Sequence, residues 1–318
     1  MLILRFASGM LSTALIVLGA GVVSGQDFPS KAVRILTSPA GGGGDFAARI
    51  LAQGISGPLG QPVIVDNRPT VLANELASKA PPDGYNLLAT GGSLLVYPLL
   101  YKAPFNVADF SPISQITREV LVLAVHPSVP VKSVKELIAL AKARPGELNY
   151  AMVPSGSASQ LGGELFKSMA GVNIVSVPYK GAAPRLAAVV SGEAQLTMVD
   201  AGFAVPHVKS GKLRALAVTS AQPSALAPGL PTMAASGLPG YEMVGQTSLY
   251  APAKTPATVI IRLNREVVRL LNQADVKERF LNGGVEAHSS SPGELTATIK
   301  SEIAMAVKLI KEAGIKGE

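Results

Sequence analysis

Residues 35–46 read Ile-Leu-Thr-Ser-Pro-Ala-Gly-Gly-Gly-Gly-Asp-Phe: a short apolar strand (33–36) runs into four glycines and then into an amphipathic helix. Phe46, Ile50 and Leu51 fall on one face of that helix. Four consecutive glycines forfeit backbone entropy and supply no packing, so either the run is a flexible turn or something approaches the main chain closely there. At a strand-to-helix junction that partner is an anion, because the first helical N–H groups lack acceptors and the helix dipole is positive at that end. No Lys or Arg lies between Arg34 and Arg49, so an anion would be held by backbone amides, which suits a carboxylate better than a polyphosphate. The nucleotide signatures fail. A P-loop requires Gly-Lys-Ser/Thr after the run, where Asp45-Phe46 stands, and the dinucleotide fingerprint lacks its third glycine at Phe46 or Ala47. Asp45 would repel phosphate; it suits a helix cap or a ligand amine or hydroxyl.

The first 25 residues form a segment apart from the fold. Arg5 precedes an apolar stretch, and Val23-Ser24-Gly25 supplies the small residues of a signal-peptidase site, with cleavage expected before Gln26. The competing reading, a membrane anchor, has only a borderline span and no cationic stop-transfer flank. The chain has no Cys, hence no lipid-anchored cysteine and no disulfide framework. The expected location is the periplasm. The formal charge of +7 becomes +6 once Arg5 leaves with the signal, and no basic run or aromatic cluster supports nucleic-acid binding. With no Trp, 7 Tyr and 8 Phe, a sugar-stacking cleft is also disfavoured.

Strand-like runs at 33–36, 62–65, 86–89, 120–125, 148–152, 174–177, 196–199 and 213–218 alternate with helical patterns, which indicates βα units and a mostly parallel sheet. Ser133-Val-Lys-Glu136 is a capping box, Thr255-Pro256 starts a helix over 257–271, and Ser291-Pro-Gly-Glu294 starts the last one, which stops at Gly314. So many strands exceed one compact sheet and suggest two α/β lobes.

Small polar loops recur at the strand ends: Thr90-Gly91-Gly92-Ser93, the stretch from Val153 to Ser159, Pro178-Tyr179-Lys180-Gly181 and Asp200-Ala-Gly202. In open α/β sheets ligands sit beyond the carboxyl ends of the strands, so these loops and the glycine run outline a cleft for a small anion. The candidate ligand-binding residues on one side are Ser38, Gly42, Gly43, Gly44, Asp45, Thr90, Gly91, Gly92 and Ser93. Facing them are Ser155, Gly156, Ser157, Ser159, Tyr179, Lys180 and Asp200. Asp45 or Asp200 would orient a distal polar group. His126, His207 and His288 are widely spaced and form no metal motif, and Ser157 lacks the second glycine of a nucleophile elbow. No catalytic residue, metal or cofactor is assigned.

In order and spacing the chain resembles the Bug-type (TctC-like) extracytoplasmic solute receptors of tripartite tricarboxylate transporters. The resemblance covers essentially the whole mature chain. Its carriers are Pro39-Ala-Gly-Gly-Gly-Gly-Asp45, Asp66-Asn-Arg-Pro69, Pro82-Asp-Gly-Tyr85, His126-Pro-Ser-Val-Pro130, Val177-Pro-Tyr-Lys-Gly181, the stretch from Gly211 to Ser220, and Gly237-Leu-Pro-Gly-Tyr241. It implies an α/β, type II periplasmic-binding-protein fold: lobe 1 from 26–123 and 221–318, lobe 2 from 124–220, with hinge strands at 120–125 and 213–218. It also implies a small carboxylate solute, delivery to membrane permease subunits, and action as a monomer. Docking on a sensor kinase and a periplasmic enzyme are the alternatives. The chain departs from the family pattern at Thr70-Val-Leu-Ala-Asn74, where a second glycine loop is usual, at Ala151-Met-Val-Pro-Ser-Gly-Ser157, and at Gln246-Thr-Ser248.

Overall fold

The computed structural model describes residues 28–153 and 156–313. The expected signal segment (1–25) and Ser155 lie outside the described residues. Ten strands and ten α-helices alternate along the described chain. The first half opens with β1 (Val33–Thr37), α1 (Gly43–Leu59), β2 (Val63–Asn67), α2 (Thr70–Ser78), β3 (Asn86–Thr90) and α3 (Ser93–Leu100). Strand β4 (Phe110–Val125) then leads into α4 (Val134–Ala143), β5 (Asn149–Met152), α5 (Ala158–Ala170), β6 (Val175–Pro178), α6 (Ala182–Val190), β7 (Leu196–Asp200), α7 (Ala201–Lys209) and β8 (Arg214–Val218). The chain returns through β9 (Val244–Pro252), α8 (Ala257–Leu271), α9 (Ala274–Asn282), β10 (Glu286–Ala287) and α10 (Pro292–Ala313).

Two sheets share one strand. In the first, β2-β1-β3 are parallel and β9 runs antiparallel between β3 and β4. In the second, β6-β5-β7 are parallel, and β7 and β8 flank β4 in antiparallel fashion. β4 serves both: residues up to Val120 pair with β9, and those from Leu121 pair with β7 and β8. The chain crosses back beside it, with Thr219 N–H bonded to the Leu121 carbonyl (2.9 Å) and Met243 N–H to the Thr219 carbonyl (2.9 Å).

Sequence patterning explains the packing that positions the cleft. On α1, Ala47, Ile50, Leu51 and Ile55 recur at helical spacing and pack with Val33 and Ile35 of β1 and Leu263, Val267 and Leu270 of α8. Each large side chain so buried contributes about 1.5–3 kcal/mol. α1 ends at Gly60 in the left-handed region (φ 69°), its N–H reaching the Gly57 carbonyl (2.9 Å). The Ser133 hydroxyl accepts the Glu136 N–H as the capping box requires (3.2 Å). At α8 the cap position belongs to Pro256, one residue after the expected Thr255, whose hydroxyl turns back to the Pro252 carbonyl (2.7 Å).

Two strand assignments needed correcting. β4 extends ten residues further toward the N-terminus than the apolar run 120–125. Its first part is largely polar: Gln115, Arg118 and Glu119 line a cavity, while Ile113 and Ile116 pack into the core. β9 begins with Gly245, Gln246 and Thr247, which line the same cavity, and only its second part, Leu249 to Ala251, is apolar.

Candidate ligand-binding cleft

A cavity of about 900 Å³ opens between the two halves. Its floor is the crossing strands, with Gln115, Arg118 and Glu119 from β4 and Gly245, Gln246 and Thr247 from β9. One wall is the glycine run and the turn before α3; the other is the turn before α5 and the start of α7; α10 closes a side with Thr298, Glu302 and Met305. Twelve of the candidate residues line it together: Ser38, Gly42, Gly43, Gly44, Asp45, Thr90, Gly91, Gly92, Ser93, Gly156, Ser157 and Asp200.

The glycine wall offers bare amides. α1 begins after Gly42 with no side-chain cap, and its first intrahelical bond is Phe46 N–H to the Gly42 carbonyl (3.0 Å), which leaves the Gly43, Gly44 and Asp45 N–H groups ahead of it. α3 likewise starts after Gly92 without a side-chain cap. The helix dipoles add a positive field at both ends.

Asp45 holds this wall in shape instead of facing a ligand. It is 6% exposed. Its Oδ2 accepts the Gly41 N–H (3.0 Å), and its Oδ1 accepts Asn67 Nδ2 (2.8 Å) and Arg49 Nε (2.9 Å). Burial pushes its pKa up, but the Gly41 amide, Arg49 and Asn67 outweigh that and leave it below the ordinary carboxylate value. Asn67 Nδ2 also donates to the Ser38 carbonyl (2.8 Å), tying the loop to β2. The expectation that Asp45 orients a solute is therefore corrected: both of its oxygens are occupied within the loop.

The opposite wall is more self-satisfied. The Ser157 hydroxyl donates to the Val153 carbonyl (2.6 Å) and accepts the Gln160 N–H (3.3 Å), capping α5, while Gln160 Oε1 accepts the Gly156 N–H (2.8 Å). Four further candidates fall away from the cavity lining or outside the described residues. Ser159 is buried inside α5, with its hydroxyl against that of Ser157 (3.0 Å). Tyr179 and Lys180 follow β6, the strand at the far edge of the second sheet, too distant from the cleft; the Tyr179 hydroxyl donates to Glu193 (2.8 Å) and Lys180 is exposed. Ser155 lies outside the described residues.

Asp200 is joined in the cleft by two acids that sequence reasoning missed, Glu119 and Glu302. Glu119 lies one residue before the point where β4 changes partners, and both Thr117 and Thr247 donate their hydroxyls to its Oε1 (2.9 Å each). Burial, then the charge of Asp200, pushes its pKa up to about 7 against the pull of the two hydroxyls. Asp200 is raised as well, by burial, and Arg185 partly offsets this. Glu302 of α10 accepts Gln246 Nε2 (2.8 Å) and is pushed by burial to about 7. A signal for Glu119 did exist: it is an acid at the edge of an otherwise apolar strand. Glu302 had none, since one acid on an amphipathic helix reads as solvated.

Of the departures from the family pattern, Thr70 lines the cavity and Asn74 is fully buried, with neither amide atom hydrogen-bonded. Val153, Gln246 and Thr247 line the cavity too. Among the described residues no cluster of His, Cys, Asp and Glu is arranged to hold a metal ion.

Comparison with known proteins finds a family model, sequence relatives and solved structures of the same fold. Residues 47–315 match the family model for the tripartite tricarboxylate transporter family receptor, TctC. Protein BugT of Bordetella pertussis is 32% identical over 305 residues, which covers 93% of this chain and 94% of BugT. A structure from R. palustris solved with adipate superposes with a TM-score of 0.86 at 35% identity, covering 91% of this chain and 99% of that one. The periplasmic binding protein BugD (TM-score 0.83, 29% identity, 92% and 100% covered) and MatC from Rhodopseudomonas palustris with bound malate (0.81, 26%, 89% and 100%) share the fold.

Proposed function

The chain belongs to the tripartite tricarboxylate transporter receptor family, a family of solute-binding receptors and not of enzymes, and from that premise we propose that it captures a small carboxylate solute for a membrane permease. The observation that carries the reading is the meeting of two uncapped helix N-termini, those of α1 and α3, on one cavity of about 900 Å³. Bare amides in a positive dipole field suit a carboxylate, and each charge-assisted bond contributes about 1.5–3 kcal/mol.

In this reading the solute carboxylate lies against Gly43, Gly44, Asp45 and Ser93, with the Gly156–Ser157 turn and Asp200 closing from the other half. Lobe 1 comprises 26–123 and 221–318 and lobe 2 comprises 124–220, and they swing about the crossing strands. Export by the N-terminal segment fits the periplasmic relatives, and no helix among the described residues is long and apolar enough to cross a membrane. The relatives solved with adipate and malate support a carboxylate as the solute class.

A thermal-shift screen with mono-, di-, tri- and amino carboxylates tests this. Saturation at ~100 times the dissociation constant adds about 2.7 kcal/mol to stability, or several degrees in Tm for a protein of this size. A melting temperature that no carboxylate moves would refute the proposal.

A further inference from the structure

The cavity is acidic beyond its anion-binding wall. The Glu119 carboxylate faces the glycine run: a Cβ built on Gly43 would lie 3.6 Å from Oε1, and one on Gly245 would lie 2.9 Å from Oε2. Oε1 already takes two hydroxyls, whereas no donor among the described residues bonds to Oε2. Asp200, from the other half, lies near enough to raise Glu119, and Glu302 adds a third acid from α10.

The cations of the region do not cancel them. Arg49 is engaged by Asp45, and Arg118 by Glu242 (3.4 Å). Arg185 is 3% exposed and stands behind Asp200, outside the cavity lining. Arg185 offsets Asp200, and among the described residues no cation forms an ion pair with Glu119 or Glu302. An independent feature also points to a ligand. Thr90 lines the cavity, is 5% exposed, and its hydroxyl has no hydrogen-bond partner.

A dicarboxylate anchored by one end on the α1 amides would thrust its other carboxylate at like charges, whereas an ammonium would meet open acceptors. We propose that the solute is an amino carboxylate: its carboxylate lies on the glycine wall with the Thr90 hydroxyl, and its ammonium lies between Glu119 Oε2 and Asp200. This rests on the receptor reading above and names the ligand class of the same site.

Isothermal titration of the mature protein, at a mildly alkaline pH where Glu119 is ionised, tests it. The probes are matched sets of two to six carbons: the monocarboxylate, the dicarboxylate, the amino carboxylate and the diamine. The amino carboxylate of the best-fitting length binds about tenfold or more tightly than the dicarboxylate of that length, as one charge-assisted bond implies. E119Q keeps the side-chain volume. It brings that ratio to about one by weakening the amino carboxylate, and circular dichroism with thermal melts of the ligand-free variant shows that it is folded. A dicarboxylate that binds as tightly as the amino carboxylate, or a preference that survives E119Q, overturns the inference and leaves the carboxylate receptor standing. If no carboxylate in any set binds, both readings fall.

Discussion

Gly202 and Gly284 meet backbone to backbone across the cleft: a Cβ on either would overlap the main chain of the other. Gly202 opens α7 beside the second sheet, and Gly284 precedes β10, which pairs with β4 in the first. The two halves therefore touch where no side chain intervenes. Gly202→Ala suits the helix it stands in but blocks this approach. The expected result is a loss of affinity of about tenfold or more, given that packed contacts cannot yield by a methyl group without cost. Because the two glycines already touch in this structure, the ligand-free melting temperature falls as well. Calorimetry with thermal melts measures both, and an unaltered affinity would show that the contact is not needed for capture.

Asp45→Ala releases the Gly41 amide, Asn67 and Arg49 together. A loss of about 1–3 kcal/mol is expected from the partners left unsatisfied. Because the folded pKa of Asp45 lies below its ordinary 3.8, the stability it contributes is present above that value and is lost as pH falls through the depressed one. Urea unfolding of both proteins at neutral and strongly acidic pH should show the gap closing in acid.

Thr90→Val exchanges an unpartnered buried hydroxyl for a methyl group of similar shape. Removing such a group is neutral or stabilising to the fold, so the melting temperature holds or rises. Affinity for the carboxylate falls by roughly fivefold, on the order of 1 kcal/mol for one hydrogen bond. Unchanged affinity would remove Thr90 from the site.

Glu302 titrates near 7 in the folded chain against an ordinary 4.5. The folded state thus holds the extra proton between those values, and stability falls as pH rises through that window. Glu302→Gln keeps a partner for Gln246 and flattens the decline, which chemical denaturation of wild type and variant across the window measures directly. A slope identical in the two proteins would mean that Glu302 does not titrate in it.

The α1 jaw was legible in the sequence because its determinants are local: four glycines, no nearby cation and an apolar helical stripe at Ala47, Ile50, Leu51 and Ile55. The parallel units were legible for the same reason. β9 and the first part of β4 were not, because Gln115, Glu119, Gln246 and Thr247 line a cavity and so lack the alternation that a half-buried strand displays. Tyr179 and Lys180 were misplaced because strand order is a tertiary property: nothing local says that β6 lies at the sheet edge. Asp45 lines the cavity but its carboxylate is taken up inside the protein, which the sequence could not show because its partner Asn67 lies 22 residues away. Glu119, Asp200 and Glu302 come from three distant segments and meet on one cavity only on folding.

β4 passes unbroken through both sheets and changes neighbours between Val120 and Leu121, one residue beyond Glu119. The strand that would act as axle for any swing of the halves also bears the charge that meets the cargo. Turning that axle re-aims Asp200, from the second sheet, relative to Glu119, so the receptor reads its cargo with the same peptide that sets its own posture.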